Sequence, residues 1–200
     1  MNGFELTEPI RTERLVLRAF EPGDADAIYA MQSDDEVVRY LEWGPRTRDE
    51  ALESLRKKMA ATEIRDEGDV LSLAVTLPAT GELVGDVVLG YLSAEHQRGE
   101  MGYVVPPARA GRGYATEASR VLLRIAFEDL VLHKVVGHVE SRNVASKRVL
   151  EKLGMRREAH LVENVFVKGE WQDELDYAIL EREWRAAGTG SPSPPVPGTG

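Results

Sequence analysis

The chain of 200 residues contains no cysteine. That absence excludes disulfides, thiolate nucleophiles and every cysteine-bearing zinc site. Histidine is scarce too, with four in all. His96, His133 and His160 are scattered and no His-Glu-x-x-His occurs, so no metal is expected. No apolar run approaches the roughly 18 residues that a membrane span needs. The opening MNGFELTEPIRTER lacks a basic head followed by an apolar stretch, so no signal peptide is expected. Positive charge is the minority: 25 Lys and Arg stand against 34 Asp and Glu, a formal net charge of -9. Such a surface repels a phosphate backbone. Neither nucleic acid nor a membrane is an expected partner, and the expected location is the cytoplasm.

What is present describes a globular chain, 42% hydrophobic and 30% charged. The length suits one domain, read here as residues 1–185. From Ala186 onward the run AAGTGSPSPPVPGTG holds four prolines, four glycines and no charge. It has little to bury and is expected to be a disordered tail over 186–200.

Periodicity predicts an α+β order. Leu15 and Leu17 alternate with Val16 in a strand over 14–20, and a short helix follows Pro22. Thr47 and Glu50 have the spacing of a capping box, with Leu52, Leu55 and Met59 along one helical face. Strands are predicted over 70–77, with Leu71, Leu73 and Val75 on one side, and over 83–92 and 100–105. The turns between them are short, as in an antiparallel meander. Helical spacing returns over 113–130 (Ala118, Leu122, Ile125, Ala126, Leu130), followed by a strand over 134–140. Asn143 can cap a helix with Ala145, Val149 and Leu153 inward and Gly154 as its stop. A closing hairpin, 155–166 and 172–180, turns at Lys168-Gly169. Trp171 and Tyr177 are expected to pack within it.

The stretch GYVVPPARAGRGYATEA, 102–118, carries the most chemical information. Gly111 and Gly113 allow a ligand close to the backbone, and the first-turn amides of the following helix have no helical partner. With Arg109 and Arg112 beside them, they form an anion site suited to phosphate or pyrophosphate. The competing reading is a simple glycine turn with two solvated arginines. Walker A fails at Arg112-Gly113-Tyr114. The dinucleotide fingerprint fails because position 116 is Thr116.

On these residues the chain resembles the GNAT superfamily of N-acetyltransferases, and within it the RimJ/RimL-like branch. TERLVLRAF (12–20), GEMGYVVPPARAGRGYATEA (99–118), ESRNVASKRVLEKLGM (140–155) and GEWQDELDYAILEREW (169–184) carry the resemblance. It implies the GNAT fold, a mixed and mostly antiparallel sheet flanked by helices, with acetyl-CoA as cofactor and an amine-bearing acceptor. It also implies a homodimer. By resemblance, the backbone of Tyr103, Val104 and Val105 pairs with the pantetheine arm. Gly111, Arg112, Gly113, Tyr114 and Ala115 hold the pyrophosphate, with Arg109 alongside. Asn143, Ser146 and Lys147 lie along the cofactor on the next helix. Ala110 stands where relatives carry Gln or Arg. Leu150 stands where many carry a tyrosine acid, a departure shared by the RimJ/RimL-like branch.

The chemistry needs an amine freed of its proton, a donor for the oxyanion and a proton for the leaving thiolate. Backbone N–H groups near Val104 and Val105 are candidates for the second role, and Ser146 or water for the third. Candidate bases are His138 and Glu140, which share one strand face by period two, and Glu100 on the neighbouring strand. Ordered water is a further candidate, because an α-amine has a pKa near ~8. Tyr40, Glu42 and Trp43 form an aromatic-acidic cluster suited to a cationic acceptor. The acceptor is read as a protein N-terminal α-amine or a small-molecule amine. Alternatives are an antibiotic-modifying acetyltransferase and a CoA-binding module without turnover.

Overall fold

The computed structural model describes residues 3–188. The expected tail from 189 onward lies outside the described residues. The chain begins with short strands β1 (Phe4–Glu5), β2 (Ile10–Arg11) and β3 (Val16–Arg18). Three helices follow: α1 (Ala25–Gln32), α2 (Asp35–Val38) and α3 (Arg48–Ala60). Next come β4 (Glu63–Ile64), β5 (Val70–Thr76), β6 (Leu83–Ser93) and β7 (Arg98–Val104). Helix α4 (Tyr114–Arg124) crosses to β8 (Lys134–Glu140), α5 (Val144–Lys152) follows, and β9 (Arg156–Val167), β10 (Glu170–Leu180) and α6 (Glu181–Ala186) close the chain.

One eight-stranded sheet in the order β2-β3-β5-β6-β7-β8-β10-β9 carries the fold. Every neighbouring pair is antiparallel except β7–β8. That parallel pair needs a crossover, which α4 supplies. The small pair β1–β4 stands apart. Strands of two or three residues are too short to show a period, so β1, β2 and β4 escape sequence reading.

Both faces of the sheet are covered. Leu71, Leu73 and Val75 of β5 pack into the large core with Leu122, Ile125 and Ala126 from the α4 side. Ala74, pointing the other way, joins Phe20, Ile28, Ala51 and Leu55 beneath α1 and α3. Hence six consecutive residues of β5 are buried, where alternation predicted one inward face. Beyond Arg124, one π-helical turn spans Ile125–Asp129, with Leu130 N–H donating to the Ile125 carbonyl at 2.9 Å. It keeps the inward stripe in register up to Leu130.

Four further expectations need correction. On α5, Ala145 is exposed and Leu150 takes the inward place with Leu153. Tyr177 packs as expected, but Trp171 is 59% exposed beside Phe166. The strand over 14–20 is pared to β3. Helix α6 reaches Ala186 and buries Trp184 against Phe127, so the folded unit runs one residue beyond the expected boundary.

Two local motifs stand as predicted. At the α3 start, Thr47 Oγ1 accepts from the Glu50 N–H, and Glu50 Oε2 accepts from the Thr47 N–H at 2.8 Å. Thr47→Ala is expected to destabilise the protein by about 1 kcal/mol, a fall of about 2–4 °C in Tm for this size of chain. Thermal melting checks it. At the hairpin turn, Lys168 and Gly169 have φ of 54° and 86°. Two consecutive positive φ values match the strand twist of a two-residue connection.

Candidate active site

The site begins where the sheet comes apart. Strands β7 and β8 pair at three positions only, Arg98 with Lys134, Gly99 with Val135 and Glu100 with Val136. Past them β7 stays with β6 as far as Val104, and β8 stays with β10 as far as Glu140. The facing edges of β7 and β8 therefore run on without each other's hydrogen bonds. A cleft of about 500 Å3 opens there, a usual size for a small-molecule site.

Glu100, Tyr103 and Val104 line it from β7, and His138 and Glu140 from β8. Asn143, Ser146 and Leu150 line it from α5, and Tyr40, Glu42, Trp43 and Arg46 from the loop before α3. Val105, Arg109, Gly111, Arg112, Gly113, Tyr114, Ala115 and Lys147 do not line this cleft. All but Lys147 belong to the segment that continues from β7 into α4, and the Lys147 Nζ donates to the Ser141 carbonyl at 2.8 Å.

The three candidate bases differ in their surroundings. His138 lies directly opposite Asp176 on β10, and its Nδ1 is 2.6 Å from Asp176 Oδ1. A carboxylate in this place favours a proton on Nδ1, which turns Nε2 away from Asp176. Asp176 is not legible in the sequence, because a cross-strand register brings together residues 38 positions apart. Glu140 is buried and committed: Oε1 accepts from Arg142 Nε at 2.7 Å and Oε2 from the Arg142 N–H at 3.1 Å. Glu100 has no ion pair among the described residues. Glu174 adds a carboxylate to the same wall and accepts from the Asn164 amide at 2.8 Å. His138, Glu174 and Asp176 hold ligand atoms within 4.8 Å of one another, the grouping that comes closest to a cation site among the described residues.

At the place where relatives carry a tyrosine, Leu150 is buried in the α5 face. Two phenols line this cleft instead, Tyr40 from the loop before α3 and Tyr103 from β7; the Tyr103 hydroxyl lies against α5. It donates to the Ser146 carbonyl at 2.9 Å and sits 2.8 Å from Ser146 Oγ. Burial pushes the Tyr103 pKa up to about 12, so the group stays protonated. The sequence points to the Tyr103 backbone, and the place of its hydroxyl emerges only in the fold. Asn143 Oδ1 accepts from the Ser146 N–H at 3.0 Å and so caps α5 as expected.

The loop from 106 to 113 fits an anionic cofactor. Gly111 and Gly113 have φ of 74° and 83°, a region that favours glycine. Gly113 is the N-cap of α4 and offers no side chain to the first-turn amides. Those amides are free to receive phosphate oxygens, in the positive end of the helix dipole. Arg112 is exposed and makes no ion pair among the described residues. Arg109 is already paired with Glu82, so its charge is compensated within the protein.

Arg14 holds this loop from outside. Its Nη1 donates to the Arg112 carbonyl at 2.9 Å and its Nε to Glu117 Oε2 at 2.7 Å. Glu117 Oε1 also accepts from the Thr12 hydroxyl at 2.6 Å and the Arg14 N–H at 2.9 Å. Burial alone would raise the Glu117 pKa, but the Thr12 and Arg14 hydrogen bonds outweigh it and hold the carboxyl below its ordinary value. A depressed folded pKa means stability present above the unfolded value, near ~4.3, and lost as pH falls through the folded one. Glu117→Gln is therefore expected to lower Tm at pH 7 by about 2–4 °C, with the difference shrinking below pH ~4. Paired melting curves across pH test this.

Comparison with known proteins agrees with this geometry. Residues 14–156 match the family model described as an acetyltransferase (GNAT) domain. An uncharacterised N-acetyltransferase of Bacillus subtilis, YnaD, is 35% identical over 88% of this chain and 98% of its own length. A GNAT-family acetyltransferase from Bacillus anthracis superposes with a TM-score of 0.78 at 34% identity, over 88% of this chain and 99% of that one. Spermidine N-acetyltransferase from Vibrio cholerae, solved with CoA and spermine, gives a TM-score of 0.73 at 28% identity, over 87% and 99%. With the split sheet, the glycine loop and these likenesses in hand, the chain belongs to the GNAT family and is an acetyl-CoA-dependent N-acetyltransferase.

Proposed function

We infer that the protein transfers acetyl to a primary amine by direct attack within a ternary complex, with His138 as base. The observation that carries this reading is the His138–Asp176 pair at the edge of the split sheet. Bound acetyl-CoA supplies an acetyl thioester. The first-turn amides of α4 and the exposed Arg112 receive its pyrophosphate, and the unpaired edge of β7 around Tyr103–Val105 receives its pantetheine arm. Backbone N–H groups near Val104 and Val105 face the developing oxyanion.

Asp176 holds His138 by Nδ1, so Nε2 accepts the proton of the incoming ammonium. Ser146 holds a hydroxyl proton beside Leu150, steadied by Tyr103, and serves as the proton donor on the opposite side of the reaction. Glu100, Glu174 and Glu42 attract the cationic amine before it is deprotonated. The acceptor is a small-molecule amine or a peptide α-amine, the second in keeping with the RimJ/RimL-like motifs. The acidic cleft favours the first.

Calorimetric titration of acetyl-CoA, followed by a panel of polyamines, amino acids, aminoglycosides and peptides, tests this. Thiol release with at least one amine class is expected. Cofactor binding without transfer to any amine would leave a CoA-binding module and overturn the reading.

A further inference from the structure

The acidic residues of the cleft have a positive counterpart that the acetyl-transfer chemistry does not use. Two permanently charged cations line the cleft among the described residues, Lys58 and Arg46. Lys58 is neutralised by Asp86, with Nζ 2.7 Å from the carboxylate and both side chains largely buried. Arg46 has no carboxylate within ion-pairing distance among the described residues. Glu50 feels its charge, but that carboxylate is held first by the Thr47 N–H and hydroxyl in the α3 cap.

Arg46 is nonetheless firmly placed. Its backbone N–H donates to the Gln32 carbonyl at 2.8 Å, and its Nη1 donates to Gln32 Oε1 at 3.0 Å. Gln32 is itself 4% exposed and anchored by its Nε2 to Ser54 Oγ at 3.0 Å. The guanidinium lies 4.0 Å from the centre of the Trp43 ring. Stacking of this kind orients a guanidinium without neutralising it. A guanidinium has five N–H donors, and only the one to Gln32 has a partner among the described residues.

We propose that Arg46 is a subsite for a carboxylate on the acceptor, so that the preferred substrate carries an amine and a carboxylate together. The proposal rests on the acetyltransferase reading and narrows it. The strand wall, with Glu100 and Glu174, takes the ammonium group. The helical wall, with Arg46 held on Gln32 and Trp43, takes the anion, for which its planar fork suits two-point binding. A free amino acid and a peptide with Asp or Glu near its N terminus both present this chemistry. A polyamine presents only positive charge and meets Arg46 as a repulsion.

The test uses matched acceptors that differ by one carboxylate: amino acids against their decarboxylated amines, and peptides with Asp or Glu at position two against Asn or Gln. Spermidine is included as the purely cationic case. In the wild-type protein the carboxylate-bearing member is expected to win by about tenfold or more in kcat/KM, in whichever series holds the natural acceptor. In Arg46→Met, which keeps an unbranched apolar stem against Trp43, that ratio is expected to fall towards one. Arg46→Lys is expected to recover it only in part.

A readout free of turnover accompanies it: calorimetric binding of N-acetylated amino acids to the CoA-loaded protein. Affinity about tenfold weaker in Arg46→Met is expected, with acetyl-CoA affinity and melting temperature reporting that the variant is folded. Equal rates within the pairs, preference for spermidine over every carboxylate-bearing amine, or an unchanged ratio in Arg46→Met overturns the subsite. Transfer to no amine, with N-acetyl amino acids still bound through Arg46, overturns the acetyltransferase reading and spares the subsite.

Discussion

Gly113→Trp is expected to abolish measurable acetyl-CoA binding in a protein that still folds. The expectation follows from the position of Gly113. Its φ of 83° lies where an L-residue is strained, and it is the N-cap whose bareness leaves the α4 amides open. A Cβ there sits 3.2 Å from Arg14 Nη2, so the Arg14 side chain must give by a few tenths of an ångström while keeping its bonds to Glu117 and the Arg112 carbonyl. The strain costs about 1–2 kcal/mol, small beside the usual stability of about 5–15 kcal/mol. An indole placed over the first turn, by contrast, occupies the space that the phosphates need. Loss of more than ~100-fold in affinity corresponds to the removal of two or so charge-assisted contacts. Gly113→Ala separates strain from blockage, because it shares the φ penalty and adds only one methyl group. Calorimetry and melting curves on both variants decide the matter. Wild-type affinity in the tryptophan variant would place the cofactor elsewhere.

His138→Ala is expected to lower kcat by about 100-fold or more while leaving acetyl-CoA affinity unchanged. Nothing else in the cleft offers an uncommitted imidazole, and Glu140 is closed off by Arg142. Asp176→Asn keeps the ring near its place but removes the carboxylate that selects the tautomer, and it is expected to cost part of the same factor. Steady-state kinetics of both variants, beside acetyl-CoA calorimetry, check these expectations. A His138→Ala variant with full kcat would return the proton-accepting role to Glu100 or to water.

The legible parts of this protein were those whose physics is local. The Thr47–Glu50 box, the Asn143 cap and the Lys168-Gly169 turn each depend on a few consecutive residues, and each stands in the structure as read; the two glycines before α4 take the positive φ that suits glycine. Features that depend on register were hidden. The Asp176 carboxylate beside His138 becomes visible only across the ladder, and the Arg142 bonds to Glu140 only in the fold. Helix facing was misjudged where small residues blur the stripe, as with Ala145 taken for Leu150. The same slip hid the Tyr103 hydroxyl, since its partner Ser146 is on the face beside Leu150. Arg46 was overlooked because it counts as an ordinary surface cation until Gln32 and Trp43 close around it.

The three-residue pairing of β7 with β8 has a mechanical consequence. Eight strands joined by full ladders would behave as one stiff body, but here five strands and three strands meet through a seam only Arg98–Glu100 long. Small rotations about that seam would change the width of the cleft with every long ladder intact. Adjustment to a bulky or slender ligand would then be expected as a hinge motion between two half-sheets rather than the closing of a loop. Amide hydrogen exchange should report it as protection that rises with bound CoA at Met101–Val104 and Gly137–Glu140, the two edges that face each other across the gap.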